Sequence, residues 1–139
     1  NIATQVSFSP ADDAEGPGAG FFVALRVVVD NQVSDNKDVR FSPYLVDIEA
    51  GAVVHALPGS EVLGDVGDLA LVNGTSLLWS AIREQVSNLT ARMPAGAVML
   101  PTVNFYDLKG QNREKEAEAK VTARRKSKPA QKTASSKKA

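Results

Sequence analysis

Nine residues from Phe21 to Val29 form an apolar run interrupted only by Arg26, and nothing else in the chain restricts its fold as tightly. Val and Phe dominate the run. Such residues suit pleated backbone, and apolar side chains on both parities predict a strand covered on both faces or nearly so. Neighbouring strands must therefore flank it. Gln5–Pro10 reads as a short strand with Val6 and Phe8 on one face, followed by an Asp-, Gly- and Pro-rich loop from Asp12 to Gly20. After a polar turn at Asn31–Asp38, a strand from about Val39 to Glu49 places Leu45, Asp47 and Glu49 on one face and Val46 and Ile48 on the other. Ala50-Gly51 reads as a tight turn into a further strand, Ala52–Leu57, which would complete a consecutive antiparallel meander.

Beyond Pro58 the pattern changes. Gly59–Gly74 reads as a connection with an apolar element at Leu69–Val72, and Asn73 or Thr75 as the cap of a helix over about Ser76–Met93. Leu78, Ile82, Val86, Leu89 and Met93 recur at spacings of four, four, three and four, one stripe of a helix. Pro94–Gly96 ends it, Ala97–Val103 returns to extended chain, and Phe105, Tyr106 and Leu108 form a small aromatic cluster. Residues 1–108 are thus expected to form one α+β domain.

The formal net charge of zero conceals two unlike parts. Residues 1–108 carry 5 Lys/Arg against 13 Asp/Glu, whereas residues 109–139 carry 11 Lys/Arg against 3 Glu. The second part is nearly devoid of apolar residues, so it reads as a basic low-complexity tail that burial cannot fold. Arg124, Arg125, Lys126 and Lys128 can neutralise phosphates in a salt-sensitive, sequence-blind way. No aromatic residue is interleaved among them, so stacking on single-stranded bases is not supported.

Several chemistries lack their residues. With no cysteine and a single histidine, His55, the chain has no thiolate or multi-histidine metal set and no cysteine nucleophile. Asp47 and Glu49 share a strand face and can in principle bind a cation or share a proton, although a solvated strand face explains them as well. Gly16, Gly18 and Gly20 follow a loop and lead into a strand, which is the wrong context for cradling phosphate. The expectation is a non-enzymatic protein without metal or cofactor. No apolar run approaches the ~20 residues that span a bilayer, so a cytoplasmic location without membrane insertion is expected.

Four segments, in order, resemble the SecB export-chaperone family. Phe21-Phe22-Val23-Ala24-Leu25-Arg26-Val27-Val28-Val29 is similar to the family's central strand, which ends in Leu-Arg-Val and two more residues. Tyr44 to Val54, with its acidic residue and its glycine, resembles the following hairpin. Ile82-Arg83-Glu84, with Val86, Leu89 and Arg92, resembles the family's Ala-Arg-Glu helix, and Leu100-Pro101-Thr102-Val103-Asn104-Phe105 its Leu-x-Pro-Val-Asn-Phe segment. The likeness covers about residues 4–108.

The resemblance implies a four-stranded antiparallel sheet with one long helix across it, assembled as a homotetramer, a dimer of dimers. By resemblance Val46, Ile48 and Ala50 would lie at the tetramer interface, with Leu78, Ile82, Val86 and Leu89 packed between dimers and their own sheet. It also implies ATP-independent holding of unfolded client proteins in apolar grooves, for which Phe21, Phe22, Val53, Leu57, Val103, Phe105, Tyr106 and Leu108 are the candidates. Export and antitoxin protection are the two settings of such proteins, and phages also carry them. Leu45 and Asp47 match part of the SecA docking surface. The family's acidic first strand has no counterpart before Gln5, and the C-terminal region is basic where the family's ends acidic, which argues against SecA coupling. The alternative, from another class, is a nucleic-acid-associated or virion structural protein acting through the tail.

Overall fold

The computed structural model describes residues 1–12, 15–32 and 42–110. In it the apolar run is the middle of a three-stranded antiparallel sheet, ordered β1 (Ile2–Pro10), β2 (Ala19–Val29), β3 (Val46–Ala56). The register sets Val6 opposite Leu25, Phe8 opposite Val23, and Val27 opposite Ile48. One sheet face therefore carries Val6 and Phe8, Val23, Leu25, Val27 and Val29, and Val46, Ile48, Ala50, Ala52 and Val54; this inner face packs on the core. The outer face carries Gln5, Phe22, Ala24, Arg26, Asp47, Glu49 and Val53. Among the described residues only the inner face is covered by another layer. The apolar run is central as predicted, but Arg26 and Phe22 are exposed on its outer side.

Two sequence expectations are corrected in the third strand. The start predicted at Val39 lies outside the described residues, and β3 begins at Val46. The turn predicted at Ala50-Gly51 does not form: β3 runs straight through it for 11 residues, so the sheet has three strands and no fourth among the described residues. Alternation explains this, because Ile48, Ala50, Ala52 and Val54 continue on one face without a break. Gly51 is a contact rather than a turn. A Cβ there would approach the Phe22 ring to 3.0 Å, so the absent side chain makes room for the aromatic ring.

Among the described residues one long helix, α1 (Val66–Thr90), crosses the inner face. It starts ten residues earlier than predicted. The Asp65 side chain accepts a hydrogen bond from the Asp68 N–H at 2.9 Å and satisfies one of the free donors of the first turn. Gly67, Asn73 and Gly74 disguise this half as a loop, since each is a poor helix former. Gly74 is where helix and sheet come closest: a Cβ on it would lie 2.9 Å from Val23 Cγ2 and 3.0 Å from Val54 Cγ2. The buried stripe runs through Leu71, Thr75, Leu78, Trp79, Ile82, Val86 and Thr90. After Val86 the helical period brings Thr90 to the core and leaves Leu89 half exposed, contrary to the predicted stripe.

From Met93 the chain returns along the helix as a strap ending in a 3₁₀ turn at Tyr106–Leu108. The extended segment predicted at Ala97–Val103 joins no sheet. Side chains anchor it instead. Leu100 is 2% and Phe105 8% exposed, Trp79 Nε1 donates to the Pro101 carbonyl at 3.1 Å, and Trp79 meets Phe105 edge to face at 5.8 Å. Among the described residues no helix is long and apolar enough to cross a membrane.

Candidate functional site: apolar clefts around the strand ends

Where the strap leaves α1, short-range polar contacts fix the backbone. Thr90 Oγ1 donates to the Val86 carbonyl at 2.7 Å and accepts from Val98 N–H at 2.8 Å, and Tyr44 Oη accepts from Ala95 N–H at 3.0 Å. These bonds hold the Pro43–Leu45 segment beside the helix end. Two clefts flank it and share Pro43. One, about 650 Å³, lies between the beginning of β1, the end of β2 and the strap, against Ile2, Val29, Val98 and Leu100. The other, about 450 Å³, lies between β3 and the helix end, against Val46, Ile48, Val86, Leu89 and Met93. A third, about 230 Å³, sits at the opposite end of β3, against Val54, Ala56, Leu57, Leu63 and Leu69. All three are mainly apolar and suit side chains such as Leu or Phe.

The predicted groove residues do not form one surface. Phe22 and Val53 stand next to each other on the outer sheet face, about half exposed. Phe21 is on the inner side, stacked on Phe8 with ring centroids 5.4 Å apart. Phe105 is core, packed on Trp79, and Leu108 is half-buried against the same cluster. Val103 and Tyr106 are exposed on the strap, where Lys109 Nζ lies 4.9 Å from the Tyr106 ring centre. Leu57 alone lines a cleft.

The residues assigned by resemblance to oligomer contact sit mostly inside one chain. Val46, Ile48 and Ala50 face α1 of their own chain, so the apolar face of β3 is already covered. Leu78, Ile82 and Val86 are buried in the same core, whereas Leu89 is half exposed at the second cleft. Arg124, Arg125, Lys126 and Lys128 lie outside the described residues. Pro43, Tyr44 and Met99, which shape the clefts, carried no periodic signal, because they stand in irregular chain before β3 and after α1.

On the outer face the acidic pair is resolved by geometry. Arg26 grips Asp47 with two hydrogen bonds, Nε to Oδ1 at 2.8 Å and Nη2 to Oδ2 at 2.7 Å. The hydrogen bond from Arg26 holds the Asp47 carboxyl below its usual range, and the reciprocal bond raises the guanidinium further above neutrality. Asp47 is thus engaged by a cation of its own chain. Leu45, its partner in the proposed docking surface, projects into solvent. His55 lies beneath the Gly16 α-carbon, its Nδ1 buried with no hydrogen-bond partner among the described residues. Gly18, at φ +80°, lets that loop bend over the end of β3. No three His, Asp or Glu side chains converge on a metal position among the described residues.

By fold, then, the chain is an α+β protein: a three-stranded antiparallel sheet under one long helix, with open apolar clefts at the ends of its strands. No protein-family model matches it, and neither a characterised protein nor a solved structure is significantly similar to it.

Proposed function

We propose that this chain is an ATP-independent, SecB-like holding chaperone that binds apolar segments of non-native polypeptides. The observation that carries the reading is the pair of apolar clefts on either side of Pro43, with Leu89 and Met93 half exposed on the helix side of one and Met99 on the strap side of the other. Methionine and leucine adapt to many shapes, which favours loose binding of varied sequences over tight binding of one. The four segments that resemble the family support the same reading, as does the sheet-and-helix architecture. Assembly into a dimer of dimers, and service in export or antitoxin protection, belong to this proposal.

The test is suppression of aggregation of a chemically unfolded client by the 139-residue chain. Leu89→Glu/Met93→Glu, both at exposed positions, should reduce suppression by about thirtyfold or more while leaving the circular dichroism spectrum unchanged, since each charge removes apolar contact worth ~1–2 kcal/mol. Removing residues 111–139 should leave suppression intact. Charge segregation favours a second reading, nucleic-acid attachment through the tail. Binding to duplex DNA that falls steeply with salt and is lost with residues 111–139, together with no effect on aggregation, would establish that reading in place of the first.

A further inference from the structure

The chain holds two sulfur atoms, those of Met93 and Met99, and no cysteine. Both methionines stand where the strap leaves α1, and each belongs to a different cleft. Met93 lines the one between β3 and the helix end, and Met99 the one between the strap and the ends of β1 and β2. Neither side chain is part of the core. Met93 is 45% and Met99 71% exposed, so an oxidant in water reaches both thioethers. Trp79, the one indole, is buried and bonded to the strap.

We propose that Met93 and Met99 are paired oxidation sites, through which a hydroperoxide shuts off the binding of apolar segments in both clefts. This regulation rests on the holding function proposed above. A thioether lone pair attacks one peroxide oxygen, and the S–O bond forms as the O–O bond breaks. The departing hydroxide takes the proton of the transferred oxygen and leaves as water. Sulfur gives up two electrons and the peroxide gains them. The sulfoxide that results is polar where the thioether was apolar and pliable.

Nearby polar groups are already engaged. The Thr90 hydroxyl donates to the Val86 carbonyl, and Tyr44 Oη is held against the Ala95 N–H. Around Met93 the cleft is otherwise built from Val46, Ile48, Val86 and Leu89. An apolar client side chain would cover the new oxygen without supplying a donor, which weakens binding by about tenfold per cleft. The fold does not depend on either thioether. Met93 supports the strap through its backbone, its N–H donating to the Thr90 carbonyl and its carbonyl accepting from the Gly96 N–H, both at 3.0 Å. With no thiol in the chain to consume the oxidant, reversal falls to an external reductase. Two thiols of such an enzyme supply the electrons and become a disulfide, and the oxygen leaves as water.

The test treats the full chain with hydrogen peroxide, removes the peroxide, and measures suppression of aggregation of guanidinium-unfolded citrate synthase. Mass spectrometry should place one oxygen on each methionine. Suppression should fall about tenfold while the urea midpoint holds, and methionine sulfoxide reductases acting on both sulfoxide epimers should restore it. Met93→Leu/Met99→Leu, whatever its starting level, should suppress equally before and after peroxide. Equal suppression by the oxidised and the reduced parent overturns the regulation and leaves the holding function standing. A loss that the reductases do not reverse, that persists in the double variant, or that comes with a falling urea midpoint also overturns it, since each assigns the effect to damage outside the clefts. A reduced parent that suppresses nothing overturns the holding function, and this regulation with it.

Discussion

Arg26 interrupts the apolar run, and its side chain explains the interruption: on the outer face it meets Asp47 two residues along the neighbouring register and takes both carboxylate oxygens. The bond lowers the folded-state pKa of Asp47 relative to an unfolded value of ~3.9. A lowered carboxyl pKa contributes stability that is complete above the unfolded value and is lost as pH falls through the folded one. Asp47→Asn should therefore unfold at lower urea than the parent above about pH 5, and the two curves should converge as pH falls through the lowered folded-state value. Both groups are well exposed, so the gap should be small and should narrow in salt. Gly74 is a residue whose importance is steric. Gly74→Ala gains ~1 kcal/mol in helix propensity but forces a methyl against Val23 and Val54, where overpacking costs ~1–3 kcal/mol. A net loss in the urea midpoint is expected, larger for Gly74→Val.

Elements were legible where one periodicity ran without special residues. β1 and β2, and the second half of α1, announce themselves through Val6/Phe8, through the Phe21–Val29 run, and through Leu78, Ile82 and Val86. The failures share a cause. Gly51 looks like a turn and Gly67, Asn73 and Gly74 look like a loop because local propensity is all that a sequence displays, while at Gly51 and Gly74 the glycine serves a contact with a distant residue. The clefts were missed for the same reason: Pro43 meets Val98 and Leu100 only after the strap has folded back. That strap makes an element-scale prediction. Trp79→Phe keeps the aromatic contact with Phe105 but loses the bond to the Pro101 carbonyl, a change worth ~1 kcal/mol. Amide exchange at Val98–Phe105 should accelerate several-fold while that of β2 stays near the parent value.

At the scale of the molecule the division of charge is plain in the sequence, and so is the α+β class, because an amphipathic helix after alternating strands has few ways to bury its stripe. What surface remains for partners was less legible. Apolar residues on both parities of β2 and β3 suggested two faces to cover, and the folded chain covers the inner one with its own helix while small and charged groups occupy much of the outer.

The sheet's strand order equals its order in the chain. Each strand pairs with the one made just before it, so no pairing has to wait for a distant segment. A ribosome extruding this chain would release β1, β2 and β3 in the order in which they join, and the helix that seals their apolar face would emerge next. The interval between β3 and α1 is then the moment when the nascent chain is most exposed to aggregation.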